Sequence, residues 1–316
     1  MRMSENQEAS TNAFYAADAG VRQYLGTLKT PAASASYTLA DGTATVTATR
    51  LADLGDDRLL YRITSVGAYQ APSGATATRT ISVNAVYSTG EIDVPGAFTS
   101  PNGLMKNGGS GKISGHDWAE AGDAECPNSP GPAKAGVTVP PSSYVQNGGD
   151  PVPDGDPPID DTRAASELLD GTNINWEAVT AGQVSPDFQI PPDSWPDFGS
   201  MAADEWPLIY VDGNYAVTPS QSGRGTLVVR GNLSMGGSFD WDGVLLVGGY
   251  ITSNGYQTIE GATMSGLNLL IDESVASSDI GNGNKEFKYN SCKLKKAATR
   301  AFGGFAEVPG TWSERI

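Results

Sequence analysis

Three segments rich in glycine and β-branched residues recur every 18 residues: Ile209–Val217, Leu227–Met235 and Leu245–Ser253. Gly213, Gly231 and Gly249 form one column, and Gly225, Gly243 and Gly261 form another. Val211, Val229 and Val247 fill a third column; Tyr215, Leu233 and Ile251 fill a fourth. A fixed period of this size marks stacked supersecondary units, and short apolar runs with glycine corners make each unit a coil of β-strands. Side chains alternate along a strand, so Leu227 and Val229 point one way while Val228 and Arg230 point the other. Glycine supplies the corners, where a Cβ would clash or φ must be positive. One coil buries little; stacking makes the core continuous. The columns predict a β-solenoid (β-helix) with 18-residue coils over residues 208–272, the alternative being a sandwich with regular hairpins. Ile92–Ser100 matches the pattern upstream with one inversion. After Gly261 one glycine column is lost, so Ala262–Ile271 reads as a terminal, capping coil.

The rest of the chain has a different texture. Residues 4–29 read as a helix, with Phe14, Ala17, Val21, Tyr24 and Leu28 on one apolar stripe. Residues 36–88 switch to period two, as in Thr43–Thr49 and in Ile81, Val83, Ala85 and Tyr87. That is a helix followed by an antiparallel meander, whose apolar face the helix stripe would cover. Residues 118–206 are dense in proline and glycine and read as an irregular insertion, with one short helix at Asp161–Leu169 stopped by Gly171. Trp176, Trp195 and Trp206 mark the insertion as packed, since disordered linkers are poor in aromatics. A final basic helix is expected over 288–302. The fold class is therefore mainly β. The organisation is 1–88 as a helix plus antiparallel sheet, and 89–316 as a β-solenoid head with the insertion at 118–206 and a helix and tail at 288–316.

Charge narrows the partners. The chain of 316 residues carries 20 Lys and Arg against 36 Asp and Glu, a net charge of −16. Phosphate binding needs a basic surface, so a nucleic-acid partner is not expected. Only 18% of residues are charged and 39 are glycine, a balance typical of extracytoplasmic β-proteins. Cys126 and Cys292 allow one disulfide in an oxidising compartment, and with a single histidine they cannot complete a zinc site. No run of 18 apolar residues spans a membrane, and the polar Met1–Asn12 is no signal peptide.

Ala13-Phe-Tyr-Ala-Ala-Asp-Ala-Gly-Val21 resembles the segment that follows the membrane helix in type IV pilus assembly proteins of the PilX N-terminal family. The Thr-rich meander, Pro95–Phe98, Ile113–Asp117, the Gly-Asn-Leu strands and the tail pieces Cys292–Leu294 and Pro309–Trp312 are similar to longer members. The resemblance covers most of the chain outside the insertion. It implies a minor pilin-like structural protein, not an enzyme, whose partners are other pilin-like subunits, met through Phe14, Ala17, Val21, Tyr24 and Leu28. Family members begin with a basic leader, a peptidase site and a hydrophobic helix. This sequence shows none of the three, so we expect it to be the portion downstream of them. The family would then place the full-length protein on the extracytoplasmic side, at the cell surface or anchored in the inner membrane, with membrane contact only through that missing helix.

Candidate chemistry is sparse. His116 and Asp117 are an acid and a base side by side, but strand neighbours face opposite ways and no nucleophile accompanies them. Asp150, Asp154, Asp156 and Asp160 cluster as calcium candidates, without the ligand spacing or closing Glu of an EF-hand. No other cofactor is expected. Asp240-Trp241-Asp242 either meets a ligand or sugar through Trp241 or stacks that ring on Ile259, one period later. Asn107–Gly111 lacks the Ser or Thr and the helix of a phosphate loop. Two further readings compete with the structural one. One is a secreted adhesin head that binds a surface glycan or polysaccharide. The other is a β-helix polysaccharide-active enzyme, which needs acids and bases converging on one face; Asp212 and Arg230 share a column but have few companions.

Overall fold

The computed structural model describes residues 2–27, 31–40, 42–55, 58–88, 90, 92–149, 151–172, 174–182, 184–191, 193–218 and 221–315. It is mainly β, with 43% of residues in strands and 17% in helices. Two compact units emerge: residues 1–91 with 302–316, and residues 92–301. Among the described residues no helix is long and apolar enough to cross a membrane.

In the first unit α1 (Arg2–Thr27) precedes an antiparallel meander of β1 (Ser34–Leu39), β2 (Gly42–Gly55), β3 (Arg58–Gln70) and β4 (Thr76–Ser88). The helix buries Ala9, Ala13, Ala16, Ala17, Val21 and Tyr24. Small residues face small residues: a Cβ on Gly67 of β3 would overlap the backbone of Ala13 and Ala17, and one on Gly20 would meet Ser65. Helix and sheet thus approach closely, as their packing requires. Tyr24 closes the stripe, its hydroxyl donating to the carbonyl of Ala32; burial raises its pKa. The opposite face of the sheet is turned away from that core, with Thr45 and Thr47 of β2 opposed to Val66 and Thr64 of β3.

The second unit is built from parallel pairs. Its strands are β5 (Gly96–Thr99), β6 (Leu104–Asn107), β7 (Lys112–Ser114), β8 (Ala135–Thr138), β9 (Tyr144–Asn147) and β10 (Ile159–Asp160). Then come α2 (Ala165–Asp170), α3 (Trp176–Thr180), β11 (Phe188–Ile190), β12 (Leu208–Val211), β13 (Tyr215–Val217), β14 (Gly223–Val229), β15 (Leu233–Val247) and β16 (Ile251–Met264). Last are β17 (Ser278–Ile280), β18 (Lys285–Tyr289) and α4 (Ser291–Phe302). The 18-residue columns of the sequence become lateral neighbours: Ile209 pairs with Leu227, Leu227 with Leu245, and Leu245 with Thr263. Gly225, Gly243 and Gly261 turn with φ of 113°, 122° and 142°, stacked so that a Cβ on Gly261 would overlap the Gly243 carbonyl. Three parallel ladders result. One runs β11-β12-β14-β15-β16-β5-β8-β10; another joins β13, β15, β16, β17, β6 and β9; the third joins the start of β14 with β15, β16, β18 and β7.

The order of layers is permuted relative to the chain. The lateral line Phe188, Ile209, Leu227, Leu245, Thr263 continues into Phe98, Val137 and Ile159. The chain enters the stack in the middle, runs to one end, crosses to the other through residues 161–187, and runs back to the middle. Trp176 of α3 anchors the crossing, its indole donating to Asn268 at 2.9 Å. The seam where the halves meet is closed by β16–β5, β17–β6 and β18–β7 pairs and by Phe98 against Phe287, with ring centroids 5.0 Å apart. After α4, β19 (Gly304–Glu307) and β20 (Ser313–Arg315) return to β4, with Gly304 opposite Ser88. The second unit is therefore an insertion between two paired strands of the first, and Phe305 completes the first unit's aromatic core with Tyr24, Tyr61 and Tyr87.

Several expectations need correction. Residues 118–206 are not wholly irregular: β8, β9, β10 and β11 lie there and extend the parallel ladders. They are two to four residues long and proline-flanked, too short for periodicity to register. Ala262–Met264 is no terminal cap, since Thr263 and Met264 pair onward with Phe98 and Thr99. The tail from Phe302 belongs to the first unit, not to the second. The short helix begins at Ala165, not Asp161; the Asp160 carboxylate accepts from Thr162 and Arg163 in the turn before it. The stripe expected to meet other subunits is turned inward. Ala17, Val21 and Tyr24 are core residues and Phe14 packs against that core, because the sheet's apolar face takes the same stripe. Leu28 lies outside the described residues.

Candidate functional site

The third ladder of the second unit carries a cluster of charged and aromatic side chains. Even-numbered residues point outward along its strands while Phe239, Trp241, Ile259, Ile113 and Phe287 point inward and are buried. Lateral pairing aligns the outward residues in rows. Asp240, Thr258, Glu286 and Lys112 form one row; Arg224, Asp242, Glu260, Lys288 and Ser114 form the next, with Ser114 buried. Tyr256 stands one step before the first row, 64% exposed.

Two elements outside the ladder complete the face. Lys293 of α4 reaches back over it, 2.7 Å from Asp242 and 2.5 Å from Glu260. Burial alone would lower the Lys293 pKa; its hydrogen bonds to the two carboxylates outweigh that and hold it above the ordinary lysine value. Lys288 bridges Glu260, at 3.7 Å, and Glu286. Trp118 lies against Lys112 and Lys288, whose ammonium groups are 5.0 and 4.7 Å from its ring centroid, and its indole donates to Ser114 at 3.3 Å. The ring stays 44% exposed. Lys112 also pairs with Asp154 at 3.5 Å. Asp240 is exposed and has no ion-pair partner among the described residues.

Asp117 places this arrangement. Its carboxylate accepts from the Ser291 backbone at 2.9 Å and the Ser291 hydroxyl at 2.6 Å, and also from the backbone of Ala119 and Gly131. Asp117 therefore ties the start of α4 to the Trp118 loop; it is not paired with His116, which is exposed. Nearby, Cys126 and Cys292 form a disulfide, both sulfurs buried, with Ala119 against them. Lys296 pairs with Asp123 at 2.7 Å and Glu125 at 3.1 Å, and that hydrogen bond holds Asp123 below the usual carboxylate range.

The remaining sequence candidates do not gather. Asp154 meets Lys112, Asp160 meets Arg163 at 2.7 Å, and Asp156 is exposed. Asp150 lies outside the described residues. Among the described residues only Asp123, Cys126 and Cys292 bring three such ligand atoms within 4.8 Å of one another, and the disulfide consumes two of them. The calcium expectation therefore gains nothing from these carboxylates. Asp212 and Arg230 form an exposed ion pair at 3.3 Å. Trp241 is buried beside Phe239 and lies opposite Ile259, so only its flanking carboxylates face outward. A cleft of about 160 Å³ in the first unit is lined by Arg62, Ser82, Asn84, Thr311 and Ser313.

Sequence reasoning missed Lys288, Lys293 and Trp118 as companions of Asp242 and Glu260. Asp242 and Glu260 are one period apart and were findable, but Lys288 enters at an offset of 28 residues, because the loop at 265–277 breaks the period. Searches of family models, curated proteins and solved structures find no match to this chain.

Proposed function

We propose that the chain is the extracytoplasmic structural part of a PilX-like minor pilin, and that its second unit is a β-solenoid of 18-residue coils carried as a display head. The carrying observation is α1 laid by its alanine stripe on the β2–β4 meander, with the head inserted where β4 and β19 pair. The 18-residue offsets between β12, β14, β15 and β16 support the solenoid. The buried disulfide suits an oxidising compartment. The chain's role on this reading is assembly and presentation, without a catalytic step. Its contacts with other subunits fall to the outer side of α1, where Tyr15 is 55% exposed, since the inner stripe is spent on the sheet. Immunogold labelling of intact cells with antibody to this chain tests the reading. Label is expected along surface filaments, and Tyr15→Arg should reduce it without altering the chain's own melting. Unlabelled filaments, with normal filament number after gene deletion, would overturn it.

A further inference from the structure

We propose that the outward face of the third ladder binds a glycan without acidic groups, made of neutral or amino sugars. Two exposed aromatics bracket the face. Tyr256 projects at one margin and Trp118 lies across Lys112 and Lys288 at the other. Residues two apart on a strand are spaced by about 6.6 Å and adjacent layers by about 4.8 Å. Trp118 lies over Lys288 and Lys112, one and two layers from Tyr256 and four and two residues further along, so the two aromatic positions stand on the order of 12 Å apart. That is the reach of an oligosaccharide, not of a single sugar. Sugar rings present C–H faces that stack on aromatic rings, and hydroxyls that hydrogen-bond carboxylates and ammonium groups.

Charge selects among glycans. The carboxylates Asp240, Asp242, Glu260, Glu286 and Asp154 outnumber the cations Arg224, Lys112, Lys288 and Lys293; each of the three lysines has a carboxylate partner, and Arg224 donates to the carbonyls of Ala202 and Glu205. The chain as a whole carries −16. A polyuronate would therefore be repelled. Asp240 is the exposed carboxylate left to accept from a hydroxyl or to pair with a protonated sugar amine. The ladder is rigid, because its inward residues are core, so the face is ordered before any ligand arrives.

The inference does not rest on the filament reading, and its test uses the isolated full chain. Isothermal titration with cellohexaose, chitosan hexamer and polygalacturonate reads it directly. Both hexamers should bind and polygalacturonate should not. Trp118→Ala and Tyr256→Ala should each weaken binding by about tenfold or more. Asp240→Asn should weaken the chitosan hexamer and leave cellohexaose nearly unchanged. If Trp118→Ala shifts the melting temperature, Tyr256→Ala decides, because that side chain is largely exposed. Absence of binding by both hexamers, equal binding by Tyr256→Ala, or polygalacturonate binding as tightly as the hexamers would each overturn the proposal. Filament labelling can succeed or fail independently of every one of these outcomes.

Discussion

The two units solve register in opposite ways. In the first, one sheet face is buried and the other wet, so β2 alternates between Ala44 and Val46 inside and Thr45 and Thr47 outside. A slip of one residue would turn the threonines into the core. In the second, strands such as Gly96–Thr99 and Ala135–Thr138 are buried throughout, and alternation cannot set their register. Corners and stacking set it instead: glycines with positive φ lie one above another, and each layer templates the next. The comparison teaches that the first unit depends on which face a residue takes, and the second on where the chain can turn.

The largest test is a pair of glycine substitutions, one per mechanism. Gly261→Val places a side chain at φ 142° and against the Gly243 carbonyl. Strain and backbone overlap together should cost more than about 4 kcal/mol. Gly67→Val needs no unusual φ, but its side chain would enter the backbone of α1 at Ala13 and Ala17 and lift the helix; the loss should be comparable. Hydrogen exchange separates them. Gly261→Val should strip protection from β15 and β16 while leaving α1 and β3 protected, and Gly67→Val should do the reverse. Loss of protection in both units from either substitution would break the comparison.

Next in size is the staple across the permuted seam. Cys126 belongs to the half that runs from 92 to 160 and Cys292 follows the half that ends at 289, so the bond closes 166 residues and ties the two halves together. Replacing both by serine should cost roughly 2–5 kcal/mol. Protection should fall first at the β16–β5, β17–β6 and β18–β7 pairs, with the first unit's unfolding unchanged. A uniform loss along the whole ladder would mean that the seam is no weaker than any other layer boundary.

How much of this was legible follows from the same contrast. The helix, the meander and the 208–264 ladder were readable, since α1 and β2–β4 show their periods and the glycine columns fall at a constant interval. The direction of the α1 stripe needed no structure either, because an amphipathic helix beside a half-buried sheet covers that sheet. Reserving the same stripe for other subunits used one surface twice. The permutation was illegible: nothing in Phe98 or Thr99 announces that they lie beside Thr263 and Met264, and two- to four-residue strands carry no period. The charged face was half legible. Asp242 and Glu260 share the 18-residue column, whereas Lys288, Lys293 and Trp118 arrive through a broken period, a helix and a loop.

The smallest effects come from two lysines of the second unit whose environments push in opposite directions. Lys285 is buried, and burial first, then the charge of Lys106, lowers its pKa to about 8, with Asp279 partly opposing. Its ammonium donates to the carbonyls of Gly281 and Asn282. The unfolded chain then binds a proton that the folded one has released between pH 8 and 10.5, so stability should rise across that window, by at most roughly 3 kcal/mol. Lys285→Met should flatten that rise. Lys293 works the other way: held by Asp242 and Glu260 above its ordinary value, it contributes stability that is present throughout neutral pH and is lost as pH climbs through the raised folded-state value. Lys293→Met should therefore destabilise at pH 7, by about 1–3 kcal/mol, because two carboxylates are left facing each other. Urea unfolding at pH 7 and pH 10 of both variants separates the two signs. If Lys293→Met is neutral at pH 7, the charged rows are a solvated surface that adds nothing to the stack, and the stability of this unit rests on its glycine corners and buried columns alone.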